Sequence, residues 1–312
     1  MTFKVLITDG LESVGLDLIN QAGEAVDRKG IEPAELLAEV GEYHGMIVRG
    51  RTKVTREVFE AAKNLKVVGR AGVGVDNIDL EAAKDHGVTV VNCPTATSQA
   101  VAELAVGMLF ALCRELPRAD AAMKVENWDK KNLMGVELMG KTLGMIGFGN
   151  IGRLVAKYAS AMGMKVVAYR RTWDPEFVKE HGAEQVTLDD LLARADFISL
   201  NLPLNAESKY LLNDEAFAKM KDGVRIVDAS RGGVIEQAAL LRALQSGKVA
   251  GAALDVYEKE PPVDWELAKH PKVIATPHIG GQTIEAQNRA AEDISSEVMN
   301  VLQGKELRWK IC

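Results

Sequence analysis

Short runs of apolar, mostly β-branched residues alternate along the first third of the chain with runs whose apolar positions repeat every three to four residues. A buried strand produces the first pattern and an amphipathic helix produces the second. Strands are predicted at 4–8, 45–48, 66–69 and 89–92, and helices at 12–21, 33–40, 56–62 and 79–85. This alternation predicts a parallel α/β unit.

The alternation resumes after a long apolar helix, predicted to begin at Ser98, a residue type suited to capping, and to run to about 116. Six more strands are predicted at 142–146, 165–169, 197–200, 225–228, 251–254 and 273–275. A final helix at 283–302 follows them, and we expect it to cross back onto the first unit. The predicted fold class is α/β with two doubly wound parallel sheets. We expect two domains, formed by 1–96 plus 284–312 and by 97–283.

Composition and charge narrow the possible classes of protein. The 312 residues are 47% hydrophobic and 26% charged, which is typical of a soluble globular protein of two domains. The formal net charge of −6 argues against nucleic-acid binding, and the longest apolar stretch is too short to span a membrane. Three cysteines form neither a disulfide framework nor a metal-binding spacing. We therefore expect no metal and a cytoplasmic location.

A glycine-rich motif follows the predicted strand at 142–146 and opens a predicted helix. Its residues are Gly147, Gly149, Asn150, Ile151 and Gly152, with Phe at the second position. The glycines permit a tight turn and a close approach of backbone to pyrophosphate, and the helix N-terminus supplies N–H groups for phosphate. In this strand–turn–helix context the motif predicts a dinucleotide site.

The residues that would read the adenosine ribose depart from the usual pattern. An NAD site usually carries an acidic residue at the end of the next strand. Here that strand ends in Arg170, Arg171 and Thr172. Two guanidiniums and a hydroxyl would hold a 2′-phosphate through charge-assisted hydrogen bonds. The sequence therefore predicts NADP(H) over NAD(H), with solvated surface arginines and a loose cofactor choice as the alternative.

Three further residues suggest what is done with the cofactor. Arg231 follows a predicted strand, where open α/β sheets bind ligands, and can grip a carboxylate bidentately. His278 is suited to supply the proton that an alkoxide needs after hydride transfer to a ketone. Glu260 would orient that imidazole and favour its protonated form.

The order of the motifs is G-x-G-x-x-G, Arg-Gly-Gly, Asp-Val-x-x-x-Glu-Pro and Pro-His-x-Gly. It resembles the D-isomer-specific 2-hydroxyacid dehydrogenase family over essentially the whole chain. The resemblance implies two Rossmann-like domains with a cleft between them, a homodimer, and a small 2-hydroxy or 2-keto acid substrate. It also implies that Arg231 binds the substrate carboxylate and carbonyl, that His278 is the acid/base with Glu260 as its partner, and that Asp255 contacts the nicotinamide carboxamide.

Within the family, the likeness is closest to the branch that acts on D-3-phosphoglycerate and 3-phosphohydroxypyruvate in serine synthesis. The stretches that carry it are 48–55, 68–77 and 128–135. By this resemblance a substrate phosphate would meet Arg49, Arg70 and either Lys130 or Lys131. The substrate carboxylate would be bound by the backbone of a loop that includes Gly72, Val73 and Gly74.

Three departures from that branch keep other functions open. Arg170 replaces an acidic residue, Arg51 adds a basic one, and the chain stops near Cys312, so that a regulatory C-terminal extension is not expected. An NADPH-dependent glyoxylate or hydroxypyruvate reductase has the same fold and trio and is favoured by the arginine pair. A more distant alternative is a non-enzymatic, dinucleotide-sensing interaction protein, as in the C-terminal-binding-protein corepressors.

Overall fold

A computed structural model describes residues 2–312. The chain divides into two compact units, Met1–Thr97 with Gln282–Cys312, and Ser98–Gly281. Within residues 2–312, no helix has both the length and the apolar composition needed to cross a membrane.

The first unit is a five-stranded parallel sheet with helices on both faces. Its strands are β1 (Phe3–Ile7), β2 (Gly23–Asp27), β3 (Gly45–Val48), β4 (Val67–Arg70) and β5 (Thr89–Asn92), in the order β2-β1-β3-β4-β5. Its helices are α1 (Ser13–Asn20), α2 (Pro33–Glu39), α3 (Arg56–Ala61), α4 (Leu80–Asp85) and the last helix of the chain, α12 (Ile284–Gln303), with a 3₁₀ turn at Val40–Glu42.

The second unit is a seven-stranded parallel sheet. Its strands are β6 (Thr142–Ile146), β7 (Lys165–Tyr169), β8 (Glu184–Gln185), β9 (Phe197–Leu200), β10 (Val224–Asp228), β11 (Val249–Leu254) and β12 (Val273–Ala275), in the order β12-β11-β10-β9-β6-β7-β8. Its helices are α5 (Ser98–Arg114), α6 (Leu116–Lys124), α7 (Asn150–Ala161), α8 (Pro175–Glu180), α9 (Leu188–Arg194), α10 (Asp214–Lys219) and α11 (Gln237–Ser246), with a 3₁₀ turn at Lys130–Asn132.

The central strands are mostly apolar because both faces of each sheet are covered. In β1, Leu6 points to one hydrophobic core while Val5 and Ile7 point to the other. All four residues of β3 and of β9 are buried. The cores therefore lie on the two sides of each sheet, and the strand ends are left to carry polar groups.

The predicted α/β class with two parallel sheets is confirmed. Two strands were not predicted, β2 and β8, because both are short edge strands with few apolar residues. The helix predicted from Ser98 to about 116 is present as α5, Ser98–Arg114, and a second helix that was not predicted, α6, follows it. Glu115 adopts a left-handed conformation (φ 48°) between α5 and α6, and Pro117 lies in the first turn of α6, where it needs no N–H partner.

Candidate active site

The glycine-rich turn lies where the strand order of the second unit reverses, between β6 and β9. Gly147 has φ +92°, and a Cβ atom there would lie 2.4 Å from the carbonyl oxygen of Asn201, at the end of β9. Only glycine fits this position. Open α/β sheets bind ligands at this reversal, outside the carboxyl ends of the strands.

Helix α7 begins directly after this turn. Gly149 is its N-cap, and no atom of a residue beyond its chain neighbours lies within 4 Å of its missing Cβ, so the space beside this turn is open. The first turn of α7, which includes Asn150, Ile151 and Gly152, contains no acidic residue. Unpaired N–H groups and the positive end of the helix dipole are therefore directed at open space, which fits a pyrophosphate.

The three residues after β7 have different environments. The guanidinium of Arg170 lies 4.7 Å from the centre of the Phe177 ring, and its Nη1 is buried with no hydrogen-bond partner among residues 2–312. Arg171 is 80% exposed and pairs with Glu207 at 3.3 Å. The carbonyl oxygen of Thr172 accepts from Gln185. A buried unpaired donor is costly, so Arg170 is the group best suited to an anionic ligand.

Arg231 lies in the loop after β10, in a turn that is tied to the loop after β11. Its Nη1 donates to the Ser230 carbonyl at 2.8 Å. A Cβ on Gly232 would lie 1.7 Å from the carbonyl oxygen of Tyr257, so the two loops are in backbone contact there and only glycine is tolerated. The same second loop carries Glu260, whose Oε1 accepts from the Tyr257 N–H at 3.1 Å.

Glu260 and His278 form a hydrogen-bonded pair, with Oε2 of Glu260 2.6 Å from Nδ1 of His278. Burial acts to raise the pKa of the Glu260 carboxyl. The hydrogen bond and charge of His278, the Tyr257 N–H and the charge of Arg231 outweigh burial, so this pKa lies below its ordinary value. The side chains are 36% and 45% exposed, respectively, so a ligand can reach them.

His278 is held in an unusual backbone conformation by Asp255. Its φ is 52°, a left-handed value that few residues other than glycine adopt. The buried Asp255 carboxylate accepts from Thr276 Oγ1 and from the N–H groups of Ile279 and Gly280, at 2.6 to 2.8 Å, and its carbonyl accepts from the His278 N–H. Outliers of this kind concentrate at functional sites, because the surrounding structure must impose them. The predicted nicotinamide contact of Asp255 stays a prediction.

The arginines predicted to meet a substrate phosphate lie in the first unit. Arg49 follows β3; its N–H donates to Asp9 at 2.7 Å and its guanidinium binds Glu12 and Gln287. Arg70 ends β4 and lies against Gly72, where a Cβ would be 1.5 Å from its Nη1. The Gly72 N–H contacts Cys93 Sγ, the Val73 carbonyl accepts from Asn92, and Gly74 follows in the same loop. Lys130 and Lys131 lie in the second unit and are exposed.

Comparison with protein families shows which family combines this glycine turn with Arg231, Glu260 and His278. Residues 106–280 match the family model described as D-isomer specific 2-hydroxyacid dehydrogenase, NAD binding domain. The chain belongs to this family. The resemblance drawn from the motifs is therefore confirmed, and the matched range contains the glycine turn, Arg231, Glu260 and His278.

Proteins similar to this chain include 2-hydroxyacid dehydrogenases named for different substrates. The chain is 47% identical to D-3-phosphoglycerate dehydrogenase of Rattus norvegicus over 97% of its own length, but covers only 57% of that protein. A glyoxylate reductase from Paecilomyes thermophila is 31% identical with a TM-score of 0.91, covering 99% of this chain and 98% of that one. D-lactate dehydrogenase from Aquifex aeolicus, solved with NAD and lactic acid, is 31% identical with a TM-score of 0.86 and covers 96% of both chains.

Sequence reasoning missed the residues that hold the arginines and the histidine turn. Glu12 and Gln287 bind Arg49 although one lies 37 residues before it and the other 238 residues after it. Asp9 lies two residues after the end of β1, so a polar residue near a strand end was the one signal that could have found it. Among residues 2–312, no group of three or more His, Cys, Asp or Glu side chains is placed to hold a metal ion.

Proposed function

We propose that the protein is an oxidoreductase that transfers a hydride between a nicotinamide dinucleotide and a D-2-hydroxy acid or its 2-keto acid. The observation that carries the proposal is the Glu260–His278 pair in the unit that also holds Arg231 and the glycine turn. We propose D-3-phosphoglycerate and 3-phosphohydroxypyruvate as the substrate pair, because relatives with the name D-3-phosphoglycerate dehydrogenase are 44–47% identical over nearly the whole chain.

The chain's own residues would carry the acid–base half of the reaction. The nicotinamide, when bound, supplies or accepts the hydride. Arg231 would bind the substrate carboxylate and polarise the neighbouring carbonyl through charge-assisted hydrogen bonds. Because Nδ1 of His278 is bonded to Glu260, Nε2 is the ring nitrogen that would give a proton to the substrate oxygen in reduction and take it back in oxidation. Glu260 stabilises the imidazolium form during that exchange.

The two units would divide the work. We assign substrate binding to residues 1–96 with 284–312 and cofactor binding to residues 97–283. Within the first unit, Arg49 and Arg70 would bind the substrate phosphate, and the backbone at 72–74 would bind the carboxylate. Asp255 would contact the nicotinamide carboxamide with the acceptor capacity that the histidine turn leaves.

NADP(H) is proposed as the preferred cofactor over NAD(H). The partner-free buried Nη1 of Arg170 supports a 2′-phosphate contact. Arg171 would have to exchange Glu207 for that phosphate, which costs little because exposed ion pairs contribute only about 0–1 kcal/mol. Thr172 would add its hydroxyl.

A homodimer built on the second unit is proposed as the assembly. Exposed apolar side chains follow one another along α6 and the segment after it: Leu116, Met123, Val125, Trp128, Met134 and Met139. Clustered exposed apolar residues of this size commonly mark protein interfaces. A cytoplasmic location is proposed because Cys93, Cys113 and Cys312 are all free thiols.

The first experiment is an initial-rate matrix that crosses NADH and NADPH with phosphohydroxypyruvate, hydroxypyruvate and glyoxylate. We expect kcat/KM for phosphohydroxypyruvate to exceed the others by well over tenfold, and NADPH to exceed NADH. If the unphosphorylated acids lead with NADPH, the protein is instead a glyoxylate or hydroxypyruvate reductase, a function favoured by Arg170. If no 2-keto acid is turned over, the enzymatic proposal fails and a dinucleotide-sensing interaction protein is the better reading.

A further inference from the structure

Two arginines lie against one aromatic ring beside the carboxyl end of β7. The guanidinium carbon of Arg170 is 4.7 Å from the centre of the Phe177 ring, and that of Arg153, in the first turn of α7, is 5.5 Å from it. These distances put the two positive charges no more than about 10 Å apart. Cation–π contact with the ring offsets part of their repulsion.

A histidine holds Arg153 in this place without cancelling its charge. The His181 ring packs 4.6 Å from the Phe177 ring, with Nδ1 2.7 Å from the Phe177 carbonyl oxygen and Nε2 3.4 Å from Nη1 of Arg153. A guanidinium has only donors, so Nε2 must accept and Nδ1 must carry the proton that it gives to the carbonyl. The other contacts of Arg153 are also neutral: Nη2 donates to Asn150 Oδ1 at 2.7 Å and Nε to the Gly149 carbonyl at 3.4 Å.

The positive charge of this cluster has no acidic partner. Arg171 pairs with Glu207 and Arg194 with Glu184, but neither Arg153 nor Arg170 forms an ion pair with a carboxylate anywhere in residues 2–312. Nη1 of Arg170 is in addition buried without a hydrogen-bond partner in that part of the chain. Two like charges within about 10 Å of each other, one of them with an unsatisfied buried donor, form a positive patch that favours an anion.

The position of Arg153, between the glycine turn and the Phe177 ring, indicates which anion it would bind. Arg153 is bonded to Gly149 and Asn150 of the turn proposed to take the pyrophosphate, and its guanidinium reaches the ring on which Arg170 lies. We infer that Arg153 is a second specificity-determining residue that grips the 2′-phosphate of the cofactor together with Arg170, with His181 as its positioning residue. This inference rests on the proposed NADP(H) preference. A phosphate dianion accepts charge-assisted bonds from both guanidiniums, whereas the 2′-hydroxyl of NAD offers neither the charge nor the geometry.

The test is calorimetric titration of the whole protein with 2′,5′-ADP and 5′-AMP, which differ by the phosphate alone and need no turnover. Arg153→Met should weaken 2′,5′-ADP about 10- to 100-fold and leave 5′-AMP within twofold, since one charge-assisted bond is lost. Lys157→Met removes an exposed positive charge one turn further along α7 and should leave both ligands within twofold. His181→Phe should weaken only 2′,5′-ADP, by a smaller factor.

Each outcome decides between two statements. If the wild-type protein binds 2′,5′-ADP no better than 5′-AMP, the proposed NADP(H) preference is wrong, and the role of Arg153 with it. A second outcome is that wild type prefers 2′,5′-ADP to 5′-AMP and Arg170→Met loses that preference. If Arg153→Met then keeps the full preference, only the role of Arg153 is overturned. Should Arg153→Met fail to fold by circular dichroism, Arg153→Lys asks the same question. It keeps the charge without the planar fork and should lose about 3- to 10-fold on 2′,5′-ADP alone.

Discussion

The strand order reverses between β1 and β3 in the five-stranded sheet and between β6 and β9 in the seven-stranded sheet, so both units offer a ligand site at a switch point. The residues that follow the first strand differ. After β6, Gly147 turns the chain and leaves open space before a helix. After β1, the carboxylate of Asp9 instead accepts hydrogen bonds from Arg49 and Thr52.

The helices that follow complete the contrast. Helix α1 has eight residues and Glu12 at its N-cap, whereas α7 has twelve residues and Gly149 there. A carboxylate at a helix N-terminus neutralises the partial positive charge that a pyrophosphate needs. Topology therefore provides a switch point in both units, but only the second combines it with an open glycine turn and a helix N-cap that carries no carboxylate. In the first unit, Asp9 and Glu12 hold arginines in place.

The largest expected effect tests whether the acid–base chemistry belongs wholly to the second unit. His278→Ala should lower kcat by about 10²–10⁴, because the proposed proton transfer would lose its donor, and should leave NADPH affinity within about twofold. Steady-state kinetics and calorimetric titration measure the two quantities. His270→Ala, a histidine elsewhere in the same unit, is the control and should leave kcat unchanged. A near-normal kcat for His278→Ala would remove this residue from the mechanism.

The next effect separates the arginines of the two units. Arg231→Ala should reduce kcat/KM about 10²–10³-fold for every 2-keto acid, since the proposed carboxylate and carbonyl contact would be common to all of them. Arg49→Ala should reduce kcat/KM about tenfold or more for phosphohydroxypyruvate and little for hydroxypyruvate. The two substrates are compared at the same NADPH concentration. Equal losses on both substrates for Arg49→Ala would mean that Arg49 does not read the phosphate.

The sequence predicted the central strands well and the edges of the sheets poorly. Strands β3 and β9 are buried on both faces, so their apolar runs are unmistakable. Strand β2 is half-exposed and β8 has only two residues, so neither carries such a run. Edge strands are shaped by the neighbour that they pair with, which a local pattern does not contain.

The site divides in the same way. Glycine turns and strand-end residues such as Arg231 are visible in sequence because backbone geometry demands them locally. The residues that hold these groups in place are not visible in sequence, because folding brings them from distant parts of the chain. Gln287, which binds Arg49, is an example. Arg170 and Arg171 are neighbours in sequence, yet one lies on Phe177 and the other pairs with Glu207. Sequence alone treats them as equivalent, and only tertiary structure separates them.

A third prediction compares the buried aspartates at the two strand ends. Asp9 has a guanidinium partner in Arg51, whereas the carboxylate of Asp228, at the end of β10, accepts from the N–H and hydroxyl of Ser230. Burial therefore raises the pKa of Asp228 from 3.8 to about 7. Between these values the folded protein keeps a proton that the unfolded chain has lost, so this group's contribution to stability falls as pH rises from about 4 to about 7.

Asp228→Asn removes this dependence, since the amide oxygen can still accept from Ser230 and carries no charge. The variant should gain stability relative to wild type as pH rises, by up to about 4 kcal/mol at pH 8 compared with pH 4, at about 1.4 kcal/mol per pKa unit. Urea unfolding at four pH values measures the difference. A difference between the two proteins that is constant across pH would mean that Asp228 ionises normally in the fold.

The smallest expected effect concerns the acid that holds Arg49. Glu12→Gln keeps an oxygen for the guanidinium but removes the negative charge that opposes a bound phosphate. The KM for phosphohydroxypyruvate should fall about two- to fivefold at low salt, and less at high salt, because a partly exposed ion pair contributes about 1 kcal/mol or less. Hydroxypyruvate should be unaffected, as should both substrates in Glu81→Gln, an exposed acid on α4. A rise in KM would show that Glu12 matters more for positioning Arg49 than for charge, and no change would place the substrate phosphate elsewhere.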